Sequence, residues 1–129
     1  MRILMHDESD LTLSRFEEPG FEVETEGEVH AHYSALQMFA TSLGLCTASV
    51  LLTYGERVDA EPDDLTVRVA WTYTEDPYRV DEIEMDIDWP SLPESRLEAA
   101  RRAAETCTIH NTLHHPPDVE TRVNRPGES

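Results

Sequence analysis

The sequence predicts an α+β fold in which a long buried helix lies against antiparallel strands. Two patterns carry that expectation. The stretch Tyr33 to Gly55, YSALQMFATSLGLCTASVLLTYG, holds no Asp, Glu, Arg or Lys in a chain that is 29% charged, so it belongs out of water. Between Leu65 and Trp89, two runs alternate apolar and polar at every second position, as strands with one buried face do.

The first thirty or so residues alternate loosely, with Leu11, Leu13, Phe21 and Val23 at strand spacing and Glu18-Pro19-Gly20 as a turn, which suits two or three short strands. Val29 to His32 lead into the uncharged stretch. Its apolar residues, Leu36, Met38, Phe39, Leu43, Leu45, Val50, Leu51 and Leu52, surround the helix instead of marking one face. A helix apolar all round is a buried one. The length would also span a bilayer, but Gln37, Thr41, Ser42, Thr47, Ser49 and Thr53 within it and the acidic flanks argue for a central helix wrapped by sheet. One sheet gives such a helix too little cover, so a second subunit is expected.

Residues 56 to 64, ERVDAEPDD, form a polar loop, after which Leu65, Val67, Val69, Trp71 and Tyr73 alternate with Thr66, Arg68, Thr72 and Thr74. TEDPYR supplies a turn, and Ile83, Met85, Ile87 and Trp89 then alternate with Glu82, Glu84, Asp86 and Asp88. The pattern predicts an antiparallel hairpin with one acidic face in water. Ser91, three residues before Glu94, reads as a capping box for a helix with Glu98 early and Arg101 and Arg102 late. Leu97, Ala100, Ala104 and Cys107 lie on that helix's inward face. A short helical turn ended by Pro116-Pro117 and a last strand over Val119 to Val123 complete the reading.

At 129 residues the chain is expected to form one domain with a real core. It carries 27 acidic residues against 10 basic ones, a net charge of −17, and every basic residue is Arg. That charge repels nucleic acid and anionic membranes and suits a surface solvated at high salt; an acidic docking face for a basic partner is the alternative. The N-terminus turns acidic before any apolar signal core develops, which predicts a cytoplasmic protein. The chain shows no Ser-His-Asp order, phosphate loop or dinucleotide fingerprint to support a hydrolase or a nucleotide enzyme.

Two cysteines, Cys46 and Cys107, are too few for a disulfide scaffold, and they read as inert core residues, free thiols, a redox pair or metal ligands. One sits in the central helix and the other on the inward face of the second, so both point to one core. Six histidines make a mixed Cys/His metal site the rival reading, with His30 and His32 on one side of a strand and His114 and His115 beside the second cysteine. No zinc-finger spacing and no HExxH is present. Trp71, Tyr73 and Trp89 could line a pocket, but alternating strand aromatics are more often core.

SALQMFATSLGLCTASVLL resembles the cysteine helix of the OsmC/Ohr family of thiol peroxidases, and AAETCTIHNTL is similar to that family's second-cysteine segment. The likeness covers residues 30 to 124. It implies an intertwined homodimer in which sheets enclose the central helices, with Cys46 as peroxidatic and Cys107 as resolving cysteine. It also implies organic hydroperoxides as substrates, no bound cofactor, and a lipoyl-type dithiol as reductant. A buried thiol needs a cation or hydrogen-bond donors to ionise. In the family an Arg from the N-terminal strands, held by a Glu, does this, and Arg15, then Arg2, are the matching candidates here. Leu36 stands at the position of that Glu, and Thr108 where the family usually has Pro. A non-catalytic relative binding an apolar ligand or a partner is the other reading.

Overall fold

The computed structural model describes residues 1–127. Strands β1 (Arg2–Asp7), β2 (Asp10–Ser14) and β3 (Glu22–Thr25) precede the long helix α1 (Ala35–Val58). A 3₁₀ turn at Pro62–Asp64 leads to β4 (Thr66–Thr74) and β5 (Arg79–Asp88); a second, at Glu94–Arg96, leads to α2 (Leu97–Ala104) and α3 (Thr108–His114). The strands form one sheet in the order β3-β1-β2-β4-β5. Its pairs are antiparallel except β1 with β3, so the sheet is mixed where an all-antiparallel one was expected. The turn at Glu18-Pro19-Gly20, with Gly20 at φ +78°, sends the chain back along β1 to make that parallel edge.

The alternation in the sequence becomes two unlike sheet faces. Ile3, Met5, Leu11, Leu13, Val67, Val69 and Trp71 are buried on the face that meets the helices. On the other face Arg68 grips Asp10 across β2 and β4 through two hydrogen bonds of 2.8 and 2.5 Å. In β5 the acidic residues are exposed as expected, while Ile83, Met85 and Ile87 are only half-buried because β5 is an edge strand.

Helix α1 lies on the apolar face through Ala40, Leu43, Gly44, Thr47, Ala48, Leu51 and Gly55. At its start Gln37 accepts from the Ser34 backbone N–H at 3.0 Å and donates to the Glu8 carbonyl at 2.6 Å, tying the helix to the β1–β2 turn. Gly44 brings the backbone so close to the sheet that a Cβ there would lie 2.6 Å from Leu13 Cδ1 and 3.2 Å from Val69 Cγ2. By length and composition α1 could cross a membrane. Here one face packs on the sheet and the other, with Met38, Ser42, Ser49 and Thr53, is exposed.

Three local expectations are corrected. Ser91 caps no helix: its hydroxyl donates to Asp64 at 2.8 Å and its N–H to the same carboxylate at 2.6 Å, so it pins the 3₁₀ turn before β4. The second long helix is broken after Ala104, and Cys107 lies beyond the break. Residues 119–123 form no strand; Val119 and Val123 are 83% and 94% exposed, so the alternation there has no sheet edge to pair with.

The far end of α1 is fixed by Trp89, whose indole N–H donates to the Glu61 carbonyl at 2.7 Å. A Cβ on Gly55 would stand 2.7 Å from two atoms of that ring, which the hydrogen bond keeps from moving aside. Gly55→Ala should therefore lower stability by about 1–3 kcal/mol through overpacking, against a helix-propensity gain of about 0.5–1 kcal/mol. A fall in the urea midpoint checks this; an unchanged or raised midpoint would show that the ring yields.

Candidate functional site

The site begins with the helix break. After Ala104 the chain turns, and Cys107 becomes the N-cap of α3, where a helix presents N–H groups that no carbonyl within it accepts. The Cys107 sulfur accepts from the His110 N–H at 3.5 Å. Cys107 is fully buried, whereas Cys46 on α1 is half-buried and reachable from outside, and both thiols are free. The two thiols lie close enough that each shifts the other's proton affinity.

Their environments divide the proton unequally. Burial pushes the Cys46 thiol up, the contact with Cys107 adds to this, and the Ile109 and Thr108 N–H groups only partly offset it. Burial also pushes Cys107 up, but the Cys46 thiol, the His110 N–H, the Thr47 hydroxyl and the Ile109 N–H outweigh it, so Cys107 is lowered. Of the two, the buried Cys107 is therefore the thiol that gives up its proton more readily. Thr47 is completely buried, and its hydroxyl approaches the Cys107 sulfur without reaching a well-formed hydrogen bond or any other partner.

Arginine plays no leading part around either sulfur. Arg15 pairs with Glu18 at 3.2 Å and lines a surface cleft with Phe16, Pro62 and Asp63, which neither cysteine borders. Arg2 pairs with Glu24 at 2.6 Å on the β1–β3 edge. Within this chain the Ile109 and Thr108 N–H groups are the donors that lower Cys46, without reversing the rise that burial and Cys107 impose. Leu36 packs half-buried against the core, and the carboxamide beside it, Gln37, is spent on capping α1. Thr108 opens α3. Among the described residues no three His, Cys, Asp or Glu side chains come together to hold a metal ion; the His114 ring lies tilted against that of His110 with centroids 4.6 Å apart, and the His32 backbone N–H donates to Glu8 at 3.1 Å.

Close to the thiols, though lined by neither, runs a groove of about 600 Å³ between Phe39 and Leu43 of α1, the half-buried face of β5, and Ala104, His110 and Leu113 of the last two helices. Leu43 is one turn before Cys46, and Ala104 and His110 flank Cys107 by three residues each. A smaller cavity of about 230 Å³ beneath α2 shares Met85, Ile87 and Arg101 with it. Thr47, Asp81, Arg101, Glu105 and His110 were not singled out as site residues in the sequence. The spacing of Glu98 three residues before Arg101 and Glu105 four residues after it was the one signal that could have marked the rim.

A mixed sheet carrying one long apolar helix, with a thiol on that helix meeting a second at the start of another, defines an α+β two-thiol protein. The family described as OsmC-like protein matches residues 21–122, and the chain belongs to that family. Its fold is similar to that of an OsmC-like hydroperoxide resistance protein from Jannaschia sp. CCS1, with a TM-score of 0.56 and 21% identity over 74% of this chain and 69% of that one. No curated protein matches the chain in sequence.

The unequal sharing has a measurable sign. Removing Cys107 takes away two of the influences that raise Cys46, its S–H···S contact and its charge. In Cys107→Ala the pH midpoint for alkylation of Cys46 by iodoacetamide should move down relative to Cys46 in the native protein. An upward shift would mean that Cys107 stabilises the Cys46 thiolate. In the native protein, peptide mass mapping should find Cys46 labelled before the buried Cys107.

Proposed function

We propose that this protein reduces organic hydroperoxides through Cys46 and Cys107, and the adjacency of the two free thiols carries the reading. Cys46 is the attacking residue because it is the one a substrate can reach. Its sulfur takes the terminal peroxide oxygen, the O–O bond breaks, and the alkoxide collects a proton to leave as an alcohol, with Cys46 as a sulfenic acid. Cys107 then attacks the Cys46 sulfur, hydroxide leaves with the second thiol proton as water, and a disulfide remains. Two electrons have passed from the sulfurs to the O–O bond. A lipoyl-type dithiol returns them by exchange.

The groove supports a long apolar substrate, since its volume lies in the range that encloses ligands of ordinary size. Membership of the OsmC-like family supports peroxide chemistry in general terms. Adding one equivalent of cumene hydroperoxide to the reduced protein should remove two hydrogens per chain by mass, and Cys46→Ser should abolish the loss. Thiols unchanged at millimolar peroxide would defeat the proposal and leave ligand binding in the groove as the function.

The reading includes an intertwined homodimer. Along the outer face of α1, Ser42, Ser49 and Thr53 each donate to a carbonyl three or four residues back, so these hydroxyls carry no unmet donor into an interface. Met38, 55% exposed, supplies apolar area among these small residues. Sedimentation equilibrium should give twice the chain mass, with Ser49→Arg shifting the population to monomer. A native chain that stays monomeric at micromolar concentration would exclude the dimer.

A further inference from the structure

We infer that the groove beside the thiols selects long-chain ligands with an uncharged head and rejects those headed by a carboxylate, with Asp81 and Glu105 setting that preference. The inference rests on reading the groove as the substrate pocket. It concerns which hydroperoxides enter, and its test does not depend on thiol chemistry.

The walls provide the affinity, because Phe39, Leu43, Ile83 and Met85 offer apolar surface to a chain and make no distinction between head groups. Discrimination falls to the rim. The charged residues lining it are Asp81, Arg101 and Glu105, and His110 and His114 complete its titratable groups. Arg101 is the cation that would ordinarily hold a carboxylate, but two carboxylates already balance its charge and engage three of its five N–H groups: Nε and Nη2 bond to Glu98, the Nε bond at 3.2 Å, and Nη1 to Glu105. Both partners hold the guanidinium in its charged form, Glu98 most strongly, and the same pairing holds Glu98 below the usual carboxylate range.

Asp81 completes the imbalance. It accepts from the Thr72 hydroxyl at 2.6 Å, a neutral donor that leaves its charge uncompensated. Two carboxylates thus line the groove with one guanidinium, whose charge Glu98 outside the groove also offsets, on a protein already at −17. An incoming carboxylate would have to share Arg101 with Glu98 and Glu105 and face their charge and that of Asp81. An uncharged head meets no such repulsion, and a hydroperoxide or hydroxyl can donate to Asp81 or Glu105.

The test compares 1-decanol with decanoate, redox-inactive ligands of one chain length, by displacement of a fluorescent apolar probe from the reduced dithiol protein at pH 8 and low salt. The alcohol should bind at least about ten-fold tighter. In Asp81→Asn/Glu105→Gln, which removes two negative charges from the rim, decanoate should gain until the gap closes to within about three-fold. Ile83→Trp, which fills the groove and leaves the rim charges in place, should weaken both ligands together.

Decanoate binding as tightly as decanol to the native protein would overturn the inference. So would a gap that survives the double substitution, binding of either ligand undiminished by Ile83→Trp, or failure of both ligands to bind. Inertness toward peroxide with the preference intact would defeat the proposed reaction alone.

Discussion

Helix α1 can approach the sheet because two of its positions carry no side chain where the backbones come closest. Gly44 leaves room for Leu13 and Val69, and Gly55 leaves room for the Trp89 ring, with Ala40, Ala48 and Thr47 continuing the same narrow face. That approach fixes the height and rotation of the helix. Residues advance by about 100° around a helix, so with Gly44 and Thr47 turned to the sheet, Cys46 points about 130° away from it, toward Cys107 and the start of α3. Its half-burial is a consequence of how its neighbours pack, and it leaves the sulfur accessible while still desolvating it.

Much of this was legible in the sequence where the signal was local and periodic. The uncharged stretch became α1 because nothing in it could be left without cover except small hydroxyl residues that bond to their own helix. The hairpin followed from strict alternation in β4 and β5. What the sequence did not yield depended on competition between distant partners. Ser91 and Glu94 have capping-box spacing, but Asp64 lies within reach of the Ser91 hydroxyl and takes it. Residues 119–123 alternate like a strand, yet alternation says nothing about whether an edge lies near enough to pair. The parallel β1–β3 edge likewise depends on where a turn delivers the chain.

Cys107 is the most instructive difference. Its spacing from Leu97, Ala100 and Ala104 placed it on a helix face, and its direction toward the core was read correctly. Its chemical role comes from the break that the periodicity did not reveal. As the N-cap of α3 the sulfur meets backbone donors, and these, with Thr47, offset desolvation without a cation. The absence of a carboxylate at position 36 fits the same arrangement: with backbone N–H groups acting on the sulfurs and Arg15 engaged elsewhere, an orienting Glu at the start of α1 has no guanidinium to hold.

The unequal division of the proton suits the second half of the proposed cycle better than the first. Cys46 must lose a proton before it attacks, and its surroundings resist this. Once it is a sulfenic acid the Cys46 S–H is gone, but the His110 and Ile109 N–H groups and the Thr47 hydroxyl still favour the thiolate of Cys107, and burial keeps that thiol from competing for the peroxide. A sulfenic acid in that position has its resolving partner in contact and little time exposed to a second oxidant. Such a pair sacrifices speed in the first attack for protection against over-oxidation, and the packing of α1 that holds Cys46 half-open is what makes the two properties compatible.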